Sequence, residues 1–301
     1  MHRAPTPQLS RLIETAKTVW EADPTLATRF GSIESMGYWQ WILTSGTEEH
    51  AALDTCLPVP PDHLIGRVIG ASSGRERYRD SGLSDSHNVL EALSAGGWSF
   101  DQPGSMLDFG CGCARILRCF ARFADSWQLV GTDIDANAIA WCRSHFDFIR
   151  FETLPFGPPT PFRDEEFTAA YAFSVFSHLP VSLHLDWLEE LRRITRPGAA
   201  LALTVMGHRC YEKYVDATAS DVWTPEGLAD DRARWTREGI LYYPYPSPMP
   251  SLPEEDQDKA VYGITFLTPS YIEERWSEYF DVVEIRKPPQ DWQDYVVLRR
   301  R

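Results

Sequence analysis

One stretch, Met106-Leu-Asp-Phe-Gly-Cys-Gly-Cys-Ala-Arg-Ile-Leu-Arg-Cys-Phe120, constrains the fold more than any other part of the chain. Its first residues are apolar and predict a short buried strand. Gly110 and Gly112 predict a tight turn, where a side chain would strain the backbone or block a ligand. The apolar spacing that follows predicts a helix. Backbone N–H groups at such a turn are expected to point outward and favour an anionic group, although glycine pairs also serve ordinary strand-to-helix corners.

The next apolar run, Trp127-Gln-Leu-Val-Gly-Thr-Asp133, predicts a second buried strand that ends in an acid. Asp133 follows the glycines by about 20 residues, where nucleotide-binding α/β folds place a carboxylate that binds the ribose of a cofactor. A carboxylate suits this role because its two oxygens can accept both hydroxyl protons. The alternative is a helix N-cap, since Asp135 and a helical pattern follow.

With these motifs the chain resembles the class I S-adenosylmethionine-dependent methyltransferases. Four segments stand in the order that is typical of the family, and the resemblance extends from about Leu64 to Arg301 with a gap near 208–262. Ala114 stands where the family usually has a third glycine, so we expect a slight shift in the turn. The dehydrogenase pattern G-x-G-x-x-G fits less well because Arg115 occupies its last position. The four resembling segments are Leu107-Asp-Phe-Gly-Cys-Gly-Cys-Ala-Arg115, Val130-Gly-Thr-Asp-Ile-Asp135, Tyr171-Ala-Phe-Ser-Val-Phe-Ser-His-Leu179 and Trp187-Leu-Glu-Glu-Leu-Arg-Arg-Ile-Thr-Arg-Pro-Gly198.

The resemblance implies S-adenosyl-L-methionine as cofactor and S-adenosyl-L-homocysteine as product. It implies a role for Asp133 at the ribose and for Ile134 beside the adenine. It places Phe173 and Ser174 at the sulfonium side, and Asp108 where it orients the turn or the amino group. The glycine-turn residues that it places near the methionine part are Gly110, Cys111 and Gly112.

Strands and helices alternate through the middle of the chain. Such alternation predicts an α/β fold with a doubly wound, mostly parallel sheet covered on both faces. The resemblance adds seven strands with a reversed last strand. Two terminal runs, 281–286 and 291–298, predict a hairpin-like pair. The other predicted strands are 106–110, 127–132, 148–152, 168–173 and 199–205, and the predicted helices are 113–124, 135–146 and 182–194.

Two segments extend the core. Residues 1–61 are expected to form an N-terminal helical or cap segment, and 62–301 the methyltransferase domain. An insertion at about 208–262, rich in proline over 242–253, is expected to cap the acceptor site; a disordered surface insertion is the alternative.

The aromatic run Tyr38–Leu43 could line an acceptor pocket or pack the N-terminal segment onto the domain. Tyr78, expected among short polar loops, is a candidate lid residue or a packed tyrosine.

Composition excludes several classes of function. The 301-residue chain has a formal net charge of −14, which disfavours nucleic acid as a partner. An N-terminal apolar region and a run of 18 apolar residues are both missing from the sequence, so we expect a cytoplasmic protein without membrane association. The six cysteines form no C-x-x-C pair, which predicts free thiols and no metal site. A monomer or homodimer is expected.

We therefore expect a methyltransferase that acts on an oxygen or nitrogen of a small-molecule acceptor, a secondary metabolite or glycan precursor, in natural product biosynthesis. The alternatives are a protein or peptide methyltransferase, a non-catalytic S-adenosylmethionine-binding partner protein, and a nicotinamide enzyme. His208, directly after the fifth strand, and His178 are the candidate general bases, unless the acceptor arrives already deprotonated.

Overall fold

A computed structural model describes residues 5–44, 56–70, 74–99, 101–218, 225–244, 262–288 and 292–301. The chain divides into two compact units. The first consists of Met1–Leu90 and Phe100–Thr153, and the second of Glu91–Ser99 and Leu154–Arg301. The expected division at residue 61 stays a prediction.

The N-terminal part of the first unit is helical. Its first helix begins after Thr6, whose side chain accepts a hydrogen bond from Leu9 N and caps the helix, and Pro7 suits the first helical position. Leu9, Leu12 and Ala16 form its buried stripe, as the apolar spacing predicts. The helices are α1 (Pro7–Ala22), α2 (Thr25–Phe30), α3 (Met36–Thr44), α4 (Asp62–Ile69) and α5 (Arg75–Ala95).

Three parallel strands form the sheet of the first unit. They are β1 (Gly104–Phe109), β2 (Trp127–Asp133) and β3 (Arg150–Thr153), with β2 between the other two. A 3₁₀ helix, Leu117–Phe123, follows β1, and α6 (Ala136–His145) follows β2. Both β1 and β2 are largely buried, which agrees with their apolar sequence.

The second unit contains the remaining core strands. Of these, β4 (Phe167–Ala172) pairs in parallel with β5 (Thr195–Val205), and α7 (Val181–Ile194) connects the two. The reversed strand β9 (Asp294–Arg299) lies antiparallel between β5 and β8 (Asp281–Arg286).

The rest of the second unit adds helices and a small separate sheet. Strands β6 (Ile240–Pro244) and β7 (Gly263–Leu267) pair with each other in antiparallel register. The added helices are α8 (His208–Thr218), α9 (Pro225–Glu238), α10 (Pro269–Arg275) and a 3₁₀ turn, Trp276–Glu278.

In sheet order the first unit has β3-β2-β1, and the second has β4-β5-β9-β8. Within each unit the strands from β1 to β5 pair in parallel, and β9 is the reversed strand. The predicted doubly wound α/β fold with a reversed last strand is therefore confirmed.

Two local predictions were wrong. Helix α5 already begins at Arg75, so Asp80–Gly82 is helical instead of a polar loop, and Tyr78 lies buried within the helix. The helix predicted at 113–124 is a 3₁₀ helix confined to Leu117–Phe123. The expected cap insertion at about 208–262 contains α8, α9 and β6 in its described part, and its role as a cap stays a prediction. The proline-rich stretch from residue 245 lies outside the described residues.

The aromatic run of α3 packs inside the first unit. Tyr38 is fully buried, and its hydroxyl donates to the carbonyl oxygen of Ala16 in α1. Trp39 is also buried and donates through Nε1 to Ile33 O at 2.9 Å. These contacts favour packing over an acceptor pocket for these two side chains.

Candidate cofactor site

The turn after β1 has a left-handed backbone at three positions. The φ angles are +83° at Gly110, +53° at Gly112 and +61° at Ala114. A β-carbon on Gly112 would lie 2.8 Å from Cγ2 of Val68, so this position needs glycine for space as well as for conformation. Ala114 adopts the left-handed conformation although alanine disfavours it, which costs about 1 kcal/mol or more.

Most backbone N–H groups of the turn donate hydrogen bonds to other groups of the protein. Gly110 N and Cys111 N both donate to Thr132 O at 2.8 Å, and Ala114 N donates to Cys111 O at 2.9 Å. Gly112 N donates to the carboxylate of Asp133 at 2.7 Å. The expectation that the N–H groups of the turn point outward to an anion was therefore wrong for these four N–H groups. The glycines instead allow the backbone to form a tight turn.

Asp133 joins the end of β2 to this turn. Its Oδ2 accepts from Gly112 N, and its Oδ1 accepts from Asp135 N at 2.8 Å. A carboxylate has about four acceptor sites, so about two remain for a ligand. The residue is half-buried. Burial raises the pKa of the Asp133 carboxyl, while the backbone N–H groups that it accepts from oppose that rise.

The helix cap belongs to a different residue. Asp135 is the N-cap of α6, because its Oδ1 accepts from Asn137 N at 3.0 Å and from Ala138 N at 3.3 Å. The alternative of Asp133 as the N-cap is thereby excluded. The Asp133 carboxylate instead lies between two backbone segments, with acceptor capacity left.

Helix α4 lies against the same turn. Arg67 Nη1 approaches Asp135 Oδ2 at 2.5 Å, and Val68 contacts Gly112 as described above. Tyr78 of α5 donates to Cys113 O at 2.8 Å, so it supports the turn from inside and is not a lid residue.

The remaining predicted residues of this unit lie close to the turn. Asp108 and Cys111 are buried, and Ile134 is half-buried between two aspartates. Burial raises the pKa of the Cys111 thiol well above its usual range, and it raises the pKa of Cys113 to about 12. These thiols are therefore neutral and poor nucleophiles. All six cysteines are free and buried.

Comparison with known proteins identifies this arrangement. Residues 106–198 match the family model described as a methyltransferase domain. The chain therefore contains a methyltransferase domain over these residues, as the resemblance implies. S-adenosylmethionine is the cofactor that the resemblance implies, and the residues present fit that molecule: the half-buried Asp133 carboxylate ends β2, next to a turn with no side chain at Gly112.

Several solved structures resemble this chain at low identity. The PH0226 protein of Pyrococcus horikoshii OT3 is 13% identical over 76% of this chain and 93% of its own, with a TM-score of 0.48. A SAM-dependent methyltransferase of Methanosarcina mazei is 16% identical over 71% and 95%, with a TM-score of 0.48. The Burkholderia thailandensis 1,6-didemethyltoxoflavin-N1-methyltransferase, solved with 1,6-didemethyltoxoflavin and S-adenosylhomocysteine, is 13% identical over 81% and 92%, with a TM-score of 0.46.

The second unit contains a polar network that the sequence did not reveal. Ser174 has a left-handed φ of +59°, and its N–H donates to Thr204 Oγ1 at 2.8 Å. Gln293, which is buried, donates through Nε2 to Ser174 Oγ at 2.8 Å and to Ser177 Oγ at 3.4 Å. Phe173 contacts Tyr295 edge-on, with ring centroids 6.2 Å apart. The reversed strand β9 begins at the edge of the sheet where β5 ends. This topology could have predicted that Gln293, just before β9, lies near Ser174.

His178 is held in one tautomer by its neighbours. Its Nδ1 lies 2.7 Å from Gly263 O, and its ring stacks on Tyr262 with centroids 4.9 Å apart. Because a carbonyl oxygen can only accept, Nδ1 carries the proton and Nε2 is the nitrogen able to accept one. Burial lowers the pKa of His178, so the ring is neutral near pH 7.

His208 has a different environment. It is exposed at the start of α8, where Nε2 lies 3.2 Å from Glu212 Oε1 and the ring stacks at 6.4 Å from Trp235. The two histidines connect to opposite ends of β7: His178 bonds Gly263, and Met206, two residues before His208, bonds Leu267. From Gly263 to Leu267 the strand spans about 13 Å, so the two histidines are connected to sites well apart on β7.

Two further findings concern the described part of the chain. Its residues contain no group of three or more His, Cys, Asp or Glu side chains that could hold a metal ion. None of its helices is long and apolar enough to cross a membrane.

Proposed function

We propose that this methyltransferase transfers the methyl group to an oxygen or nitrogen of a small-molecule acceptor, a secondary metabolite or glycan precursor. The acidic composition supports this choice, because a net charge of −14 opposes binding of a polyanionic nucleic acid. The proposal extends to a cytoplasmic role in natural product biosynthesis.

The observation that carries the site assignment is the Asp133 carboxylate beside Gly112. Bound S-adenosylmethionine supplies an electrophilic methyl carbon on its sulfonium. We propose that Asp133 accepts the ribose hydroxyls and that Ile134 flanks the adenine. Gly110, Cys111 and Gly112 would let the backbone approach the methionine part, with Asp108 supporting the turn. Phe173 and Ser174 are proposed for the sulfonium side, as the family resemblance implies.

His178 is the better supported candidate for the general base. Its Nδ1–H is oriented by the carbonyl oxygen of Gly263 at 2.7 Å, which leaves Nε2 as the accepting nitrogen. Burial lowers its pKa and keeps the ring neutral, so it is able to accept a proton without first losing one. His208 stays a second candidate, with its ring held beside Glu212.

One observation bears on a protein or peptide acceptor. That alternative depends on a groove formed by the aromatic run 38–43 and by the proline-rich stretch. Tyr38 and Trp39 of this run are buried in the first unit, where they are not available to a peptide. This favours the small-molecule acceptor.

The acceptor class can be tested with isotope transfer. The purified chain is incubated with methyl-tritiated S-adenosylmethionine and a panel of phenols, carboxylic acids and heteroaromatic amines, in parallel with denatured proteins and peptides. We expect label in at least one small-molecule product and none in the protein fraction. Label in protein or peptide alone would contradict the proposal.

The base can be tested on the acceptor so identified. His178→Gln should lower kcat by about 10²–10⁴-fold with little change in cofactor affinity, the range for loss of a general base. His208→Gln is the matched control and should change kcat little. The reverse pattern would move the base to His208.

A further inference from the structure

A small cavity in the first unit is lined by Arg79, Leu83, Arg115, Arg118 and Cys119. Its volume is about 10 Å³, which is room for about one guest of the size of a water molecule. Three of its five lining side chains are guanidinium groups, whereas the chain as a whole has a net charge of −14. Three cationic side chains therefore line one small cavity of an acidic protein.

Two of these guanidinium groups are buried. Arg115 is 4% exposed and pairs with Asp85, so a carboxylate balances its charge. Arg118 is 7% exposed and donates only to carbonyl oxygens, at 2.5 Å to Leu57 O and 3.2 Å to Pro58 O. Within the described residues Arg118 forms no ion pair. A buried charge is costly unless it is paired, and in the described part of the chain no carboxylate pairs with Arg118.

The walls of the cavity leave little room for adjustment. A β-carbon on Gly82 of α5 would lie 2.5 Å from Arg115 O, so the helix and the turn are in the closest contact that the backbone allows. The guanidinium carbon of Arg118 lies 5.8 Å from the ring centroid of Tyr78, on the same helix as Gly82. These contacts pack α5 closely against the segment after the glycine turn on one side of the cavity.

We propose that this cavity binds a small inorganic anion of halide size, chloride being the abundant example. The anion would supply the negative charge missing beside Arg118 and would face the other two guanidinium groups that line the cavity. It would link α5 to the segment that follows the glycine turn, and so stabilise the first unit. The site is separate from methyl transfer, and its test uses stability and diffraction.

Thermal unfolding of the full chain tests the proposal. Chloride is varied against gluconate, which is too large for the cavity, at a fixed ionic strength of about 0.15 M so that general screening stays constant. We expect a saturable rise in Tm of about 2–5 °C over a hundredfold range of chloride. Arg118→Met should abolish the saturable rise. Arg11→Met removes the same charge from an exposed position of α1 and should retain it.

Bromide-soaked crystals of the unchanged chain give a second measurement that does not depend on variant folding. We expect an anomalous bromide peak inside the cavity beside Arg118. A Tm that is independent of the chloride-to-gluconate ratio, together with a cavity without bromide, would overturn the proposal. Stabilisation by phosphate but not by chloride would overturn the assignment to a halide-sized anion.

Discussion

The carboxylate of Asp133 accepts a hydrogen bond of 2.7 Å from the backbone N–H of Gly112. This contact joins the end of β2 to the turn after β1, across 21 residues of sequence. It means that Asp133 shapes the turn as well as offering acceptor sites to a cofactor. A substitution at either residue therefore acts on both, and experiments have to separate the two effects.

Gly112→Ala should destabilise the first unit. The new β-carbon would meet Val68 Cγ2 at 2.8 Å on a backbone with φ +53°. We expect a loss of about 1–3 kcal/mol in the free energy of unfolding, measured by urea denaturation. Gly31→Ala is the matched control, because Gly31 has φ +76° and a β-carbon added there would meet no atom within 4 Å. Equal losses would show that contact with Val68 contributes nothing.

Gln293→Leu should destabilise the second unit. The substitution removes the donor to Ser174 Oγ and Ser177 Oγ and places an apolar group beside them. We expect a loss of about 1–3 kcal/mol in the free energy of unfolding, the range for leaving buried polar groups unsatisfied. Urea denaturation measures it, with Gln128→Leu on the exposed face of β2 as control. A loss no larger than that of the control would contradict a structural role for the network.

Stability should fall below pH 6.5 because of His184. This ring is fully buried, and burial lowers its pKa from 6.5 to about 4. The unfolded chain therefore takes up a proton between pH 6.5 and 4 that the folded chain does not bind. The contribution lost over that window is about 3 kcal/mol.

The pH effect is measured by urea denaturation at several pH values. His184→Phe, which keeps an aromatic ring beside Phe176 and Trp276, should flatten the slope between pH 6.5 and 4. His63→Phe on the exposed face of α4 serves as the control. An unchanged slope in His184→Phe would mean that other groups cause the acid sensitivity.

The sequence predicted the sheet more reliably than the surrounding helices. The strands β1 and β2 were predicted because continuous apolar runs between glycines and aspartates are typical of buried parallel strands. After Gly112 the sequence predicted an α-helix where the structure has a 3₁₀ helix of seven residues. An apolar pattern over so few residues cannot separate a period of 3.0 from one of 3.6. Ala114, with φ +61°, also delays the start of regular structure.

Tertiary contacts explain what the sequence did not predict. The first part of α5 contains serine, glycine and aspartate, which favour loops in isolation. Contacts of Tyr78 and Gly82 with the segment at the glycine turn stabilise the helix there. Gln293 lies beside Ser174 although 119 residues separate them. That proximity follows from the reversed strand, whose register cannot be derived from local sequence.

The central claim is that Asp133 binds the ribose of the cofactor. Calorimetric titration of S-adenosylhomocysteine and its 2′-deoxy analogue into the unchanged chain and Asp133→Ala tests it, because the difference between ligands cancels the effect on the turn. We expect Asp133→Ala to bind S-adenosylhomocysteine about 10- to 150-fold more weakly and to lose most of the preference for the hydroxylated ligand. Asp135→Ala, which removes the neighbouring carboxylate, should keep that preference. An undiminished preference in Asp133→Ala would contradict the claim.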